Sequence, residues 1–178
     1  MERPEFSPPT SSAGRLFDAV SALLGIRARA TYEGQAACEL EAVCDPGELC
    51  ALDPAAAYEF AWQDSRILVS GIFAGICGDM DKGLSPGVIA ARFHNTMARI
   101  ILAACVRIRE EERLNTVALS GGVMQNRTLL GMVVPALEGR GFGVLLQTVV
   151  PANDGGLSLG QAACALARLQ SGPVASLI

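Results

Sequence analysis

The last third of this chain reads as two strand–helix units in succession, and that order constrains the fold more than any other feature. "TVAL" at residues 116–119 is a short apolar run, two glycines follow almost at once, and a helical pattern covers residues 123–138. The order then repeats, with a strand at residues 143–148 and a helix at residues 154–170. A β-α-β-α series makes its strands parallel, because each helix carries the chain back across a sheet face before the next strand begins. The expected fold class is therefore α/β, with helices against the faces of a sheet.

In such folds ligands bind outside the carboxyl ends of the strands, and two glycine-rich turns stand at that place. The first is "SGGVMQN", Ser120 to Asn126. Gly121 and Gly122 allow a ligand close to the backbone, and the first amides of a helix are unpaired donors at its positive end. Asn126 can offer its amide to a base or ribose. A plain tight turn with Ser120 as cap accounts for the same residues, and both accounts stand on this motif alone. It is not G-x-G-x-x-G, and it lacks the Lys-Ser/Thr of a P-loop. The second turn is "PANDGG", residues 151–156. Asn153 or Asp154 can cap the last helix there. Two glycines nevertheless weaken a helix start with no packing gain, and a carboxylate at a strand end is a good hard-oxygen ligand. Consecutive units would set the two turns side by side, which favours a ligand site.

Upstream, prolines make residues 1–10 an irregular arm. Ser11 or Ser12 can cap a helix at residues 14–24, and a second helix covers residues 35–43. Residues 56–61 suit a strand. The run "RILVSGIFAGICGDMDKG" has the length of a helix but contains four glycines, which oppose one. The clearest helix spans residues 85–112: Ser85 caps it, Pro86 takes its first position, and Ile89, Phe93, Met97, Ile100, Ala104 and Ile108 recur at threes and fours. One domain at residues 11–170 and a frayed tail at 171–178 complete the division.

Other residues carry two readings each. Asp18 lies three residues after Arg15, so it either forms a local ion pair or accepts from a ribose diol. Gly34 suggests close backbone approach. Glu33, Glu39 and Glu41 are catalytic candidates, with a solvated face the favoured reading of the last two. His94, the one histidine, reads as buried or interfacial with one hydrogen bond. No Ser-His-Asp or Cys-His set assembles, so the residues show no self-sufficient catalytic apparatus. The six cysteines form no C-x-x-C pair and read as buried reduced thiols. Net charge −4 argues against a general nucleic-acid or membrane-surface binder. No long uncharged stretch suits a membrane span, and the acidic, proline-rich start does not resemble a signal peptide; a cytoplasmic protein is expected. At 51% hydrophobic and 18% charged residues the chain is apolar for its size. Either its interior is generous or part of its surface is covered by another domain or chain.

Four stretches, "SSAGRLFDAVSALLG", "YEGQAACELEA", "NTVALSGGVMQNRTLL" and "PANDGGLSLGQAA", extend in order over nearly the whole chain. Together they resemble the C-terminal part of the HypF family, the carbamoyltransferases of nickel–iron hydrogenase maturation. Enzymes that make threonylcarbamoyl-adenosine in tRNA share the "SGGV…N" turn but carry a proline-glycine-glycine stretch in place of "YEGQAA"; O-carbamoyltransferases are a weaker relation. The resemblance implies a ribonuclease-H-like, actin/Hsp70-type (ASKHA) fold, of which this chain is mainly the second lobe, a mixed sheet flanked by helices. It implies that Ser120, Gly121, Gly122 and Asn126 face the adenosine side of a nucleotide, which re-aims the first turn away from phosphate. Asp18 would hold the ribose, with Gly34 nearby, and Ser12, Arg15, Glu33 and Asn153 would be further site residues. Asp154 would be a ligand of a divalent metal bridging to the phosphates.

The family's other metal ligands, a histidine pair at H-x-x-x-H spacing, belong to its first lobe, and a chain with one histidine does not contain them. The acylphosphatase-like, zinc-finger and YrdC-like modules are also absent. The resemblance therefore implies half of an active site, inactive alone, whether as a fragment or as a truncated gene product. The ligands it implies are ATP and carbamoyl-adenylate. The partners it implies are a HypE-like maturation protein and the missing lobe and modules. The alternative is a non-catalytic nucleotide-binding or interaction lobe, with a homodimer as one form.

Overall fold

A computed structural model describes residues 10–49 and 52–170. Most of the expected N-terminal arm, the expected tail and Cys50 lie outside the described residues.

The helix with the strongest sequence signature organises the rest. α4 (Pro86–Glu112) is 27 residues long, with Ser85 Oγ accepting the Val88 N–H and Pro86 in its first turn. Its buried Ile89, Phe93, Met97 and Ile100 form one core with residues of four other helices. Those are Phe17 and Val20 of α1 (Ala13–Leu23), Leu40 of α2 (Gln35–Ala42), Ile72 and Ile76 of α3 (Ser70–Asp81), and Leu129, Val133 and Leu137 of α5 (Arg127–Gly139). Phe17 meets Phe93 edge to face with ring centroids 4.9 Å apart.

The ambiguous run at residues 66–83 divides. Its start is β2 (Arg66–Leu68), which pairs antiparallel with β1 (Ala61–Gln63); the remainder is α3. Two of the three glycines in α3 have a packing reason. A Cβ on Gly71 would stand 2.6 Å from the Glu59 carbonyl, and one on Gly75 would stand 2.5 Å from the Tyr58 ring. The helix thus trades intrinsic propensity for close contact with the preceding segment.

The strand expected at residues 56–61 does not form. Pro54–Ala56 is a 3-10 turn capped by Asp53, and buried polar side chains of α4 hold this segment in place of a ladder. Asn95 accepts from Leu52 N–H and donates to the carbonyls of Asp53 and Ala56. Thr96 Oγ1 accepts from Tyr58 N–H at 2.8 Å. Tyr58 in turn donates to Asp79, which also receives Arg92 at 2.6 Å. Burial alone would push the Asp79 carboxyl up, but Arg92, Tyr58 and Lys82 bring it below its ordinary value.

The predicted β-α-β-α series is present. β3 (Thr116–Leu119) and β4 (Gly143–Leu146) pair in parallel, with α5 between them and α6 (Leu157–Gln170) after them. The helices flank two small sheets, one parallel and one antiparallel. The element ends differ from expectation. β4 stops at Leu146. Both helices of the series begin late, behind 3-10 turns at Gly122–Gln125 and Asp154–Gly156. No residue of α6 is buried against the described residues.

Candidate functional site

The two glycine-rich turns lie against each other: Gly121 N–H donates to the Ala152 carbonyl at 2.8 Å. Gly121 sits at φ +100°, a conformation that favours glycine, and this directs its amide at the second turn. Beside this pair a cleft of about 430 Å³ opens, within the usual size of small-molecule sites. Its opposite wall is made by the starts of α1 and α2. Ser12, Arg15, Asp18, Glu33, Gly34, Gly122, Asn126, Asn153 and Asp154 all line it. Ser120 and Gly121 instead line a neighbouring open groove under α6, where Ser120 Oγ accepts from Gln147 at 3.2 Å. Asn153 and Asp154 border both.

The local reasons for this geometry are legible. Ser12 caps α1 through the Arg15 N–H. Arg15 and Asp18 form the i,i+3 ion pair at 2.8 Å, while Asp18 also faces the cleft, so the two readings of Asp18 describe one arrangement. The approach to Gly34 is braced from behind. Arg27 meets Glu39 through two hydrogen bonds of 2.7 Å, and Gln35 ties Thr31 to Glu39. The hydrogen bonds between the two raise the Arg27 guanidinium pKa and hold the Glu39 carboxyl below its ordinary range. Glu39 and Glu41 are therefore not simply a solvated face. Glu41 lines the cleft and accepts the Thr128 N–H at the start of α5, at 2.8 Å.

Sequence reasoning missed Ala37 and Cys38 on the cleft wall and favoured a solvated face for Glu41. The available signal was their spacing from Gly34, three, four and seven residues, which is one face of α2. It also missed what lies behind Asn126. The Asn126 oxygen accepts from Leu129 N–H at 2.7 Å, capping α5, while its amide nitrogen is 2.8 Å from Nε2 of the fully buried His94. His94 Nδ1 is 2.8 Å from the Ala90 carbonyl and 3.2 Å from Cys44 Sγ. His94 thus makes more than the single bond expected of it, and a Cys-His pair exists after all. It is not a nucleophilic pair. Burial, with a contribution from Glu41, pushes the Cys44 thiol up to about 12, and a neutral thiol is inert. Burial also holds the His94 pKa below 6.5, against the opposing pull of Ala90 and Glu41.

Chemically, the cleft presents Asp18, Glu33, Glu41 and Asp154 against one guanidinium, Arg15. Such a wall suits hydroxyl donors and cations and disfavours a bare phosphate. For a metal, Asp154 offers one exposed carboxylate, and no three His, Cys, Asp or Glu side chains among the described residues are grouped to hold an ion. The described residues do not fit a complete metal centre. No described helix is long and apolar enough to cross a membrane.

A parallel strand–helix series with a cleft at its strand ends is the arrangement of a Kae1-like lobe, and the sequence matches accordingly. The family model for the second subdomain of the carbamoyltransferase Kae1-like domain covers residues 1–161. The chain belongs to the HypF carbamoyltransferase family and carries that subdomain. It is 38% identical to the carbamoyltransferase HypF of Rhodobacter capsulatus, over 93% of this chain and 21% of the relative. With that of Synechocystis it shares 35% identity, over 93% of this chain and 20% of the relative. A crystal structure of full-length HypF in its phosphate- and nucleotide-bound form superimposes with TM-score 0.79 at 42% identity, over 89% of this chain and 21% of that one. The HypF of T. kodakarensis gives TM-score 0.75 at 30% identity, over 90% of this chain and 20% of that one. The chain thus spans about one fifth of the length of these relatives.

Proposed function

We propose that this chain forms the adenosine-binding wall of a carbamoyl-transfer cleft. The observation that carries the reading is the single cleft on which Asp18, Gly34, Gly122, Asn126 and Asp154 converge from four separate stretches of sequence. Asp18 accepts from the ribose diol, Gly34 and Gly122 bring backbone close to the nucleoside, and Asn126 offers an amide hydrogen to it. Ser120 and Gly121 shape the floor from the adjoining groove. In the whole enzyme the substrate is carbamoyl-adenylate, made from carbamoyl phosphate and ATP, and the acceptor is a cysteine thiolate at the C-terminus of a HypE-like partner, in a cytoplasmic setting. Asp154 supplies one ligand of a divalent cation whose other donors come from elsewhere, so no step is assigned to that cation on the present residues.

The test is calorimetric titration with AMP and with ATP. Weak binding by the wild-type chain, reduced in Asp18→Asn and Asn126→Ala, is the expected result. An identical signal in wild type and Asn126→Ala removes the assignment. We further expect no turnover of carbamoyl phosphate by this polypeptide alone; clear turnover overturns the half-site reading. The second reading, a non-catalytic interaction lobe, is favoured by α6, whose Leu157, Leu159, Leu166 and Leu169 are exposed.

A further inference from the structure

Behind the cleft, the donors and acceptors around His94 admit one arrangement. The Ala90 carbonyl can only accept, and it lies 2.8 Å from Nδ1, so Nδ1 carries the proton. A neutral ring then leaves Nε2 as a bare acceptor, and the atom of Asn126 facing it at 2.8 Å must be the amide nitrogen. The other end of Asn126 gives the same answer independently. Leu129 N–H is a donor 2.7 Å away, so the group facing it must be the oxygen. Cys44 lies 3.2 Å from Nδ1 and 3.5 Å from the Leu40 carbonyl, where its thiol donates, so it does not contest the Nδ1 proton.

We propose that His94 is a positioning residue that locks the Asn126 amide through Nε2, so that Asn126 keeps its second amide hydrogen for the cleft. The site therefore takes a ligand with an acceptor atom at that place, such as a ribose oxygen or an aromatic ring nitrogen. The ligand half of this inference rests on the adenosine-side reading above; the positioning half does not. His94 reaches no ligand itself, since it is fully buried behind Asn126. The groups facing it are Phe17 and Phe93, Cys44, the Glu41 charge, Ala90 and Asn126.

The chain has one histidine, so a chain labelled with 15N at histidine gives a single ring spectrum. The expected spectrum is the neutral tautomer protonated at Nδ1; a ring protonated only at Nε2 overturns the proposal. Asn126→Asp provides the second measurement. Its carboxylate still caps α5 but turns an acceptor towards Nε2, so the ring should take a second proton and become an imidazolium at neutral pH. An Nε2 resonance unmoved from its wild-type position in the folded variant overturns the proposal. Calorimetry with AMP tests the ligand half. His94→Leu, which has no acceptor, should bind about tenfold more weakly, the scale of one hydrogen bond. His94→Gln, whose amide oxygen can accept from Asn126, should restore most of the affinity. Equal affinity in wild type and folded His94→Leu overturns the proposal. If wild type binds no AMP while both ring spectra are as expected, the positioning stands and the nucleotide reading falls.

Discussion

Asn126 joins two jobs in one side chain: its oxygen caps α5 and its nitrogen meets His94. Asn126→Ala removes the cap and leaves a buried ring nitrogen without a donor, so urea denaturation should show a loss of about 1–3 kcal/mol. His94 also sets a pH dependence. Its folded-state pKa lies below the ordinary 6.5, so between the two values the unfolded chain binds more protons than the folded one. Stability should therefore fall as pH drops below 6.5, with a slope of up to about 1.4 kcal/mol per pH unit. A flat profile from pH 7 to 5.5 would contradict this. The sequence showed Asn126 and Asp154 as candidates because each sits in a local turn or cap pattern, and Asp18 through its helical spacing from Arg15. It could not show the pairing of Asn126 with His94, 32 residues apart, because no local pattern connects them.

Among the elements, α4 was legible from end to end. A capping serine, a proline after it and 3.6-residue periodicity all act within one turn of each residue. The hairpin of β1 and β2 was not legible. Its strands have three residues each, and its turn uses Asp64 at φ +54° in place of an Asn-Gly or Asp-Gly signal. The late starts of α5 and α6 were hidden for a related reason: a 3-10 turn and an α-helix bury similar positions over four residues. Packing at Gly75 gives the test at this scale. Gly75→Ala places a methyl 2.5 Å from the Tyr58 ring, whose hydroxyl is bound to Asp79. The gain in helix propensity should be outweighed, and thermal unfolding should show a net loss of about 1–3 kcal/mol.

At the scale of the molecule, the apolar composition finds its explanation on the surface as well as in the core. Besides the leucines of α6, Leu145 and Leu146 of β4 are exposed. Parallel sheets are ordinarily covered on both faces, so this surface is unlike that of a finished domain. Charged replacements at Leu159 and Leu166 should leave stability within about 0.5 kcal/mol and reduce binding of an apolar dye. Light scattering at several concentrations should show self-association that these replacements diminish. Composition announced this surplus but could not locate it, because location depends on which helix the rest of the fold leaves uncovered. Hydrogen exchange should report the same division: α6 amides should exchange far faster than the central amides of α4.

The attachment of α6 has a mechanical consequence. Its 14 residues make a rod of about 21 Å. That rod continues directly from the turn Asp154–Gly156, which is fastened through Ala152 to Gly121. A body packed along this rod would work a lever whose short arm is the turn that carries Asp154. Contact along the rod and the position of that carboxylate would then be coupled in a single movement.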